Sequence, residues 1–480
     1  MEKTLQNKSE AVFQYFEKIC AIPHGSGDMK PLSDYCVKFA KENNLRVICD
    51  KAKNVVIYKP GTNGYENAEP IILQGHLDMV CQKKEDLAID FATDGIETYT
   101  DGDFIKARGT TLGADDGIAI SMIMAILASR DLSHPPIEAV FTTDEEIGMI
   151  GAKALDCTVL KSKKMINIDS EEAGVLTVSC AGGSDFKLFL PIEKTVVHGT
   201  KISLEINDLK GGHSGVDIDK HRINANILAG RILNFAKKTA GFNIIKINGG
   251  SKGNAIPFSC KAELVAEDAE NLINIMENYI SAVKNEISDR EENCSIRLKA
   301  QETGDFEVLN VAAQDKLLHI LLTTPNGIVD MSAQIDGLVE TSLNLGILMT
   351  QADEIVMQYA LRSNKASALD FLEDRLTAFA SYSACNSEIS CRYEPWEFKK
   401  DSPMQKLYAD AFFEKYGYKP RTQAIHAGLE CAVFTQKIED LDCFSIGPDM
   451  FDVHTVNERL SISSATETFE LLCDILERCK

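Results

Sequence analysis

The 480-residue sequence predicts an α/β fold: a doubly wound domain on a mixed sheet, interrupted by an inserted α+β domain. Three observations carry this. Up to about Gly182, short apolar runs alternate with helical patterns. From Ser184 to about Tyr393 the texture changes to strand-like alternation followed by long amphipathic helices. After Pro395 helical patterns return around one further buried-strand candidate, so the C-terminal part is expected to complete the first sheet. The expected boundaries are 1–183, 184–394 and 395–480, the middle segment being the insertion.

In chain order, helical spacing covers Glu10–Cys20, Pro31–Asn43 and Asp116–Arg130. Apolar runs that read as strands end near His76, Ala114, Thr143 and Ile168. In the insertion, Lys187–Leu190 and Lys201–Ile206 alternate like strands, and helices are expected at Ile223–Thr239 and Ala269–Asp289. A second set follows with a helix at Val311–Thr323 and strands near Gly337–Asn344 and Glu354–Leu361. The C-terminal part predicts helices at Pro403–Tyr416, Leu429–Lys437 and Ser464–Glu477. Its strand Cys443–Ile446 is stopped by Gly447-Pro448.

Composition narrows the function. A chain of this length exceeds one ordinary core, so two domains are expected. A formal net charge of -22 opposes a nucleic-acid surface, which needs clustered Lys and Arg. The N-terminal residues are polar and lack the apolar core of a secretory signal. The longest nearly apolar stretch, Gly117–Ala128, is too short to span a bilayer, so no membrane role is expected. Fourteen cysteines without CxxC spacing read as reduced residues and give a cytoplasmic expectation.

The chemistry gathers at the strand ends. His76 and Asp78 follow one apolar run, Asp115 follows Thr111–Ala114, Glu145 and Glu146 follow Ala139–Thr143, and Asp169 ends Met165–Ile168. In open α/β sheets such ends share one rim. One imidazole and several carboxylates there would repel one another unless cations sat between them, which reads as a metal centre, zinc and paired. In His76-Leu77-Asp78, alternation puts both polar groups on one face. His76 can bind metal through one nitrogen while Asp78 accepts from the other, or the pair can be an ordinary strand end. Asp116 can simply cap a helix, which leaves Asp115 as the candidate bridge between two cations. The acids Asp144, Glu145 and Glu146 are either a solvated loop or a ligand beside a proton carrier. Asp169 offers a terminal ligand, with Glu171 and Glu172 as solvated loop charges. His24, His134, His198 and His319 read as structural or surface residues. His213, among the glycines of Lys210–Gly215, is either a ligand-approach point or a turn.

Taken with Gly253-Asn254-Ala255-Ile256-Pro257 and His454, these motifs resemble the cocatalytic zinc metallopeptidase family of carboxypeptidase G and the carnosinases. The order and separations match over essentially the whole chain. The middle domain, Gly211–Asn226 and Ile425–Glu430 resemble, within that family, the aminoacyl-histidine (Xaa-His) dipeptidases. The resemblance implies that His76 and Asp169 bind one zinc, Glu146 and His454 the other, and that Asp115 bridges them. It further implies Asp78 as the residue orienting His76, Glu145 as general base, and a cis peptide between Asp115 and Asp116. His213 would stabilise an oxyanion. Asn254 and Arg362 would hold the substrate's C-terminal carboxylate, and His426, Gly428 and Glu430 would line the pocket. The implied activity is hydrolysis of short dipeptides, Xaa-His among them, under an inserted lid, with a possible homodimer. An amidohydrolase acting on N-acyl amino acids is the alternative, and zinc, manganese and cobalt all accept such donors.

Overall fold

The computed structural model describes residues 2–480, with side chains described from residue 9 onward. The chain divides into two compact units, one of Met1–Cys180, Phe398–Ala424 and Leu429–Lys480, the other of Ala181–Glu397 and Ile425–Gly428.

The first unit is built on an eight-stranded mixed sheet. Its strand order is Arg46–Cys49, Val55–Lys59, Ile137–Thr142, Ile71–His76, Lys164–Asn167, Asp442–Ser445, Val175–Cys180 and Arg421–Ile425. The central strands run parallel, with Ile71 opposite Ile137, His76 opposite Thr142, and Gln74 opposite Asn167. Asp442–Ser445 joins them in parallel, so the C-terminal segment does complete this sheet. Every residue of Ile71–His76 and Ile137–Thr142 is buried, as strands covered on both faces require. That explains why these runs read as continuous apolar stretches rather than alternating ones. Parallel direction also brings their carboxyl ends to one rim.

The helix Ala114–Ala128 is buried from Ala114 to Leu127, which fits a segment apolar all round. Its start corrects the sequence reading. Thr111–Ala114 is not a strand, because Gly113 takes a left-handed conformation (φ 71°) that breaks an extended run. Asp115 therefore lies in the opening turn of a helix. The peptide between Asp115 and Asp116 is cis. A small four-stranded sheet of Thr98–Asp101, Phe104–Ala107, Met450–Phe451 and Arg459–Ser461 holds both ends of the loop that carries His454.

The second unit is a nine-stranded antiparallel sheet. Strands Ser295–Leu309, Lys194–Asn207, Cys260–Ala266 and Asn243–Gly249 meet Val339–Thr350, Glu354–Ser363, Gly182–Pro191 and Asn386–Tyr393 through the pairs Asn248–Met349 and Gly249–Leu348, and the ninth strand, Gly327–Met331, pairs with Val339–Thr350. Helices Ala225–Lys237, Ala269–Ile287, Val311–Thr323 and Ala366–Tyr382 supply Ile232, Met276, Leu317 and Leu372 to its core. Among the described residues no helix is long and apolar enough to cross a membrane.

Candidate metal centre

Seven of the predicted residues converge at the rim of the first unit's sheet. His76 ends its strand and is buried. Its Nδ1 lies 3.0 Å from the carbonyl oxygen of Asp78, and the Asp78 carboxylate is farther, at 3.5 Å. With Nδ1 so engaged, Nε2 is the atom turned to the site, 2.9 Å from Asp115 Oδ1 and 3.6 Å from Asp169 Oδ1. The other oxygen of Asp115, Oδ2, lies 3.1 Å from His454 Nε2, which is also 2.8 Å from Glu146 Oε1. His454 takes a left-handed backbone conformation (φ 64°), a sparsely populated state that surrounding structure must hold.

Asp78 does more than face His76. Its Oδ1 accepts the backbone amide of Glu145 at 2.9 Å, and its Oδ2 accepts the amide of Glu146 at 3.2 Å and the Ser26 hydroxyl at 2.9 Å. The acidic loop is therefore fixed to the strand end that carries His76. Three triads have donor atoms within 4.8 Å of one another: His76, Asp116 and Asp169; His76, Glu145 and Glu146; and Asp115, Glu146 and His454.

These groups suit divalent cations by their chemistry. Burial pushes the carboxyls of Glu145 and Glu146 above the usual range and that of Asp169 to about 6. Burial acts on Asp115 in the same direction, but hydrogen bonds from His454 and His76 outweigh it and hold this carboxyl low. The Asp115 and Glu146 carboxylates in turn raise His454 to about 11. Among the described residues no lysine or arginine pairs with this cluster; its only ion-pair partners are the two histidines. Crowded carboxylates with imidazole nitrogens between them form an oxygen and nitrogen donor set that zinc, manganese and cobalt accept.

Beneath the rim lies a polar network that the sequence reading missed. Gln74 Nε2 donates to Glu430 Oε2 at 2.5 Å and to Thr142 Oγ1 at 3.2 Å, while Asn167 Nδ2 donates to Gln74 Oε1 at 2.6 Å. Thr142 Oγ1 donates to the same Glu430 oxygen at 2.6 Å. Glu430, expected to line a pocket, is instead fully buried, and burial pushes its carboxyl to about 8. The signal was present: Gln74 and Asn167 interrupt apolar runs two residues before His76 and Asp169, on the same strand faces.

In the second unit, His213, Arg362 and His426 come together. A Cβ added at Gly215 would lie 2.2 Å from the carbonyl oxygen of His426, and 3.1 Å from both Arg362 Nε and His213 Cε1. His213 Nδ1 accepts the amides of Gly215 and Val216, each at 3.2 Å, so its ring proton belongs on Nε2; the Arg362 nitrogen 3.5 Å from Nε2 can only donate and is a neighbour there, not a hydrogen-bond partner. Arg362 donates to the Tyr393 hydroxyl at 2.9 Å. Asn254 is exposed, beside the short pairing of His213 with Ala255, and its carbonyl accepts the Ser214 amide at 2.9 Å. His426 is buried between Ser342 and Asn364, and Gly428 is half-buried nearby in sequence. Of the histidines expected to be structural or at the surface, His24 and His134 are buried, and exposed His198 pairs with Asp305.

An α/β unit with a carboxylate and imidazole cluster at its parallel rim, in a chain that also folds a unit with a long antiparallel sheet, is a metallopeptidase architecture. The chain belongs to peptidase family M20/M25/M40, whose sequence profile matches residues 72–478. A protein of Escherichia coli strain K12 described as cytosol non-specific dipeptidase is 35% identical over 481 residues, covering 99% of each chain. The crystal structure of aminoacylhistidine dipeptidase from Vibrio alginolyticus superposes with a TM-score of 0.90 at 35% identity, covering 98% of this chain and 96% of that one. Aminopeptidase PepT from Bacillus cereus shares the fold at a TM-score of 0.57 and 15% identity, over 98% of each chain.

Proposed function

We propose that this chain is a metal-dependent dipeptidase of the cytosol, hydrolysing short dipeptides with Xaa-His among its substrates. The observation that carries the reading is the division of the two Asp115 oxygens between the imidazoles of His76 and His454. The names of the Escherichia coli and Vibrio relatives support a dipeptide substrate, and the former supports breadth beyond histidine.

In this reading His76, Asp169 and Asp115 would hold one divalent cation, and Asp115, Glu146 and His454 a second, with zinc, manganese or cobalt as the ion. The chemistry such a pair supplies is Lewis-acid polarisation of the scissile carbonyl and a lowered pKa for water. Glu145 takes the proton of the attacking water and returns it to the departing amine. Asp78 keeps Glu145 in place through its backbone amide. His213, whose Nδ1 is occupied by two amides, offers Nε2–H to the developing oxyanion. Arg362 and Asn254 bind the substrate's terminal carboxylate, a role suited to the planar guanidinium fork. His426 and Gly428 shape the surrounding pocket. The inserted second unit is thereby the substrate-holding part.

The test is a substrate profile of purified protein supplied with zinc, manganese or cobalt. Xaa-His and Xaa-Leu dipeptides should both be cleaved, and N-acyl amino acids, which lack the free amine, should not. Faster turnover of an N-acyl amino acid than of every dipeptide would overturn the assignment.

A further inference from the structure

Glu458 has no part in the chemistry above, yet its carboxylate is buried and, among the described residues, forms no ion pair with lysine or arginine. Backbone amides hold it instead. Oε2 accepts from Leu112 at 2.7 Å and Gly113 at 3.2 Å, and Oε1 accepts from Ala114 at 2.8 Å. Three consecutive amides can converge on one anion because Gly113 is left-handed and folds the chain into a concave nest. A side chain there would be strained by the left-handed φ of 71° and would press on Met79 Sδ at 2.8 Å and His24 Nε2 at 3.1 Å. The next residue after these amides is Asp115.

The other end of Glu458 belongs to the His454 loop. The Thr455 amide donates to Asp452 and the Glu458 amide to Thr455, each at 3.2 Å, and Arg459 then enters the small sheet opposite Lys106. A local helix cap would explain the amide contacts. It would not explain why the carboxylate arrives from 344 residues away, in the loop whose histidine meets Asp115 at 3.1 Å.

We propose that Glu458 is a positioning residue: by anchoring the turn before Asp115 to the loop of His454, it sets the spacing of these two side chains and so the cation affinity of the half-site formed by Asp115, Glu146 and His454. The inference rests on the dinuclear reading above. Metal-free full-length protein is titrated with Co²⁺, following stoichiometry and visible absorption, alongside thermal unfolding of the metal-free forms. The wild type should take up two ions. Glu458→Gln should keep one and bind the other about 10- to 100-fold more weakly, the range for residues that orient ligands, while its metal-free unfolding temperature stays close to that of the wild type. Glu458→Asp, which keeps the charge, should recover part of the lost affinity. Uptake of two ions by Glu458→Gln with wild-type affinity and spectrum overturns the role of Glu458 and leaves the dinuclear reading standing. Fewer than two ions on the wild type overturns the dinuclear reading itself. If Glu458→Gln does not fold, Glu458→Asp decides: selective weakening of one ion supports the proposal, and unchanged affinity for both refutes it.

Discussion

The carboxylate of Asp78 accepts the backbone amide of Glu145 at 2.9 Å, which ties the turn of the acidic loop to the strand end that presents His76. The Glu146 amide and the Ser26 hydroxyl converge on the same carboxylate. Asp78→Ala would strand all three donors in a partly buried place, at roughly 1–3 kcal/mol each where no water replaces the acceptor. Because the loop that carries Glu145 and Glu146 is released while the Asp78 backbone carbonyl still holds the His76 ring, kcat should fall and metal affinity should weaken about 10- to 100-fold. Steady-state kinetics with metal analysis checks this. Wild-type kcat in the variant would show that the carboxylate is not needed to hold the loop.

Glu145→Gln separates proton transfer from metal binding. The amide keeps the shape of the side chain but cannot carry the proton, so kcat should drop by about 10²- to 10⁴-fold. Metal content should remain that of the wild type, since Asp115, Glu146, Asp169 and both histidines are untouched. Retained turnover with full metal occupancy would remove Glu145 from the role of general base.

The sequence exposed what depends on local pattern and hid what depends on long-range contact. Largely apolar runs ending in His76 and before Glu145 revealed the central strands, because burial on both faces leaves no alternation to misread. The helices at Val311–Thr323 and Pro403–Tyr416 were legible from their spacing, and the structure caps them with Asn310 and Ser402. Thr111–Ala114 misled because an apolar run before an acid looks like a strand end, while the left-handed Gly113 makes it a turn whose amides are taken up by Glu458, far along the chain. Helix Ala366–Tyr382 went unread although Leu369, Leu372 and Leu376 are buried on one face, since Lys365 gives no side-chain cap to mark its start. The role of Gln74 in a buried network could not be read without knowing that Asn167 and Glu430 stand beside it.

Gly215→Ala tests the cluster in the second unit. The added methyl would approach the His426 carbonyl oxygen to 2.2 Å, a backbone atom that cannot swing aside, and would press on Arg362 and His213. Overpacking of this kind costs about 1–3 kcal/mol. If Arg362 and His213 handle substrate, KM for dipeptides should rise and kcat should fall, with metal content unchanged. A variant of normal KM and kcat would detach this cluster from catalysis.

His426 gives the protein a predictable acid sensitivity. Burial, with the nearby Arg362 and His213, holds its imidazole down at about 3. An unfolded chain releases the same proton near pH 6.5. Between those values the unfolded state binds more protons, so this group's contribution falls as pH drops below about 6.5, by up to about 1.4 kcal/mol per unit. His426→Gln removes that titration. Denaturant unfolding from pH 7 to pH 5 should show a shallower loss for the variant than for the wild type. Parallel curves would mean that the imidazole is not buried in its neutral form.

Removal of divalent ions should destabilise the folded protein as well as silence it. Asp115, Glu146, Asp169 and Glu145 crowd one buried rim with, among the described residues, only His76 and His454 as ion-pair partners, and mutual repulsion among them would be relieved by cations bound to the native state alone. A ligand held at a hundred times its dissociation constant adds about 2.7 kcal/mol to stability. Exhaustive chelation should therefore lower Tm and abolish dipeptide hydrolysis, and zinc, manganese or cobalt added back should restore both together. The coupling of the two recoveries is the informative part: Tm and turnover of the wild type should return over the same range of added metal. Unchanged Tm and turnover after complete metal removal would mean that the carboxylates and imidazoles satisfy one another without ions, and the cluster would lose its claim to be a metal centre.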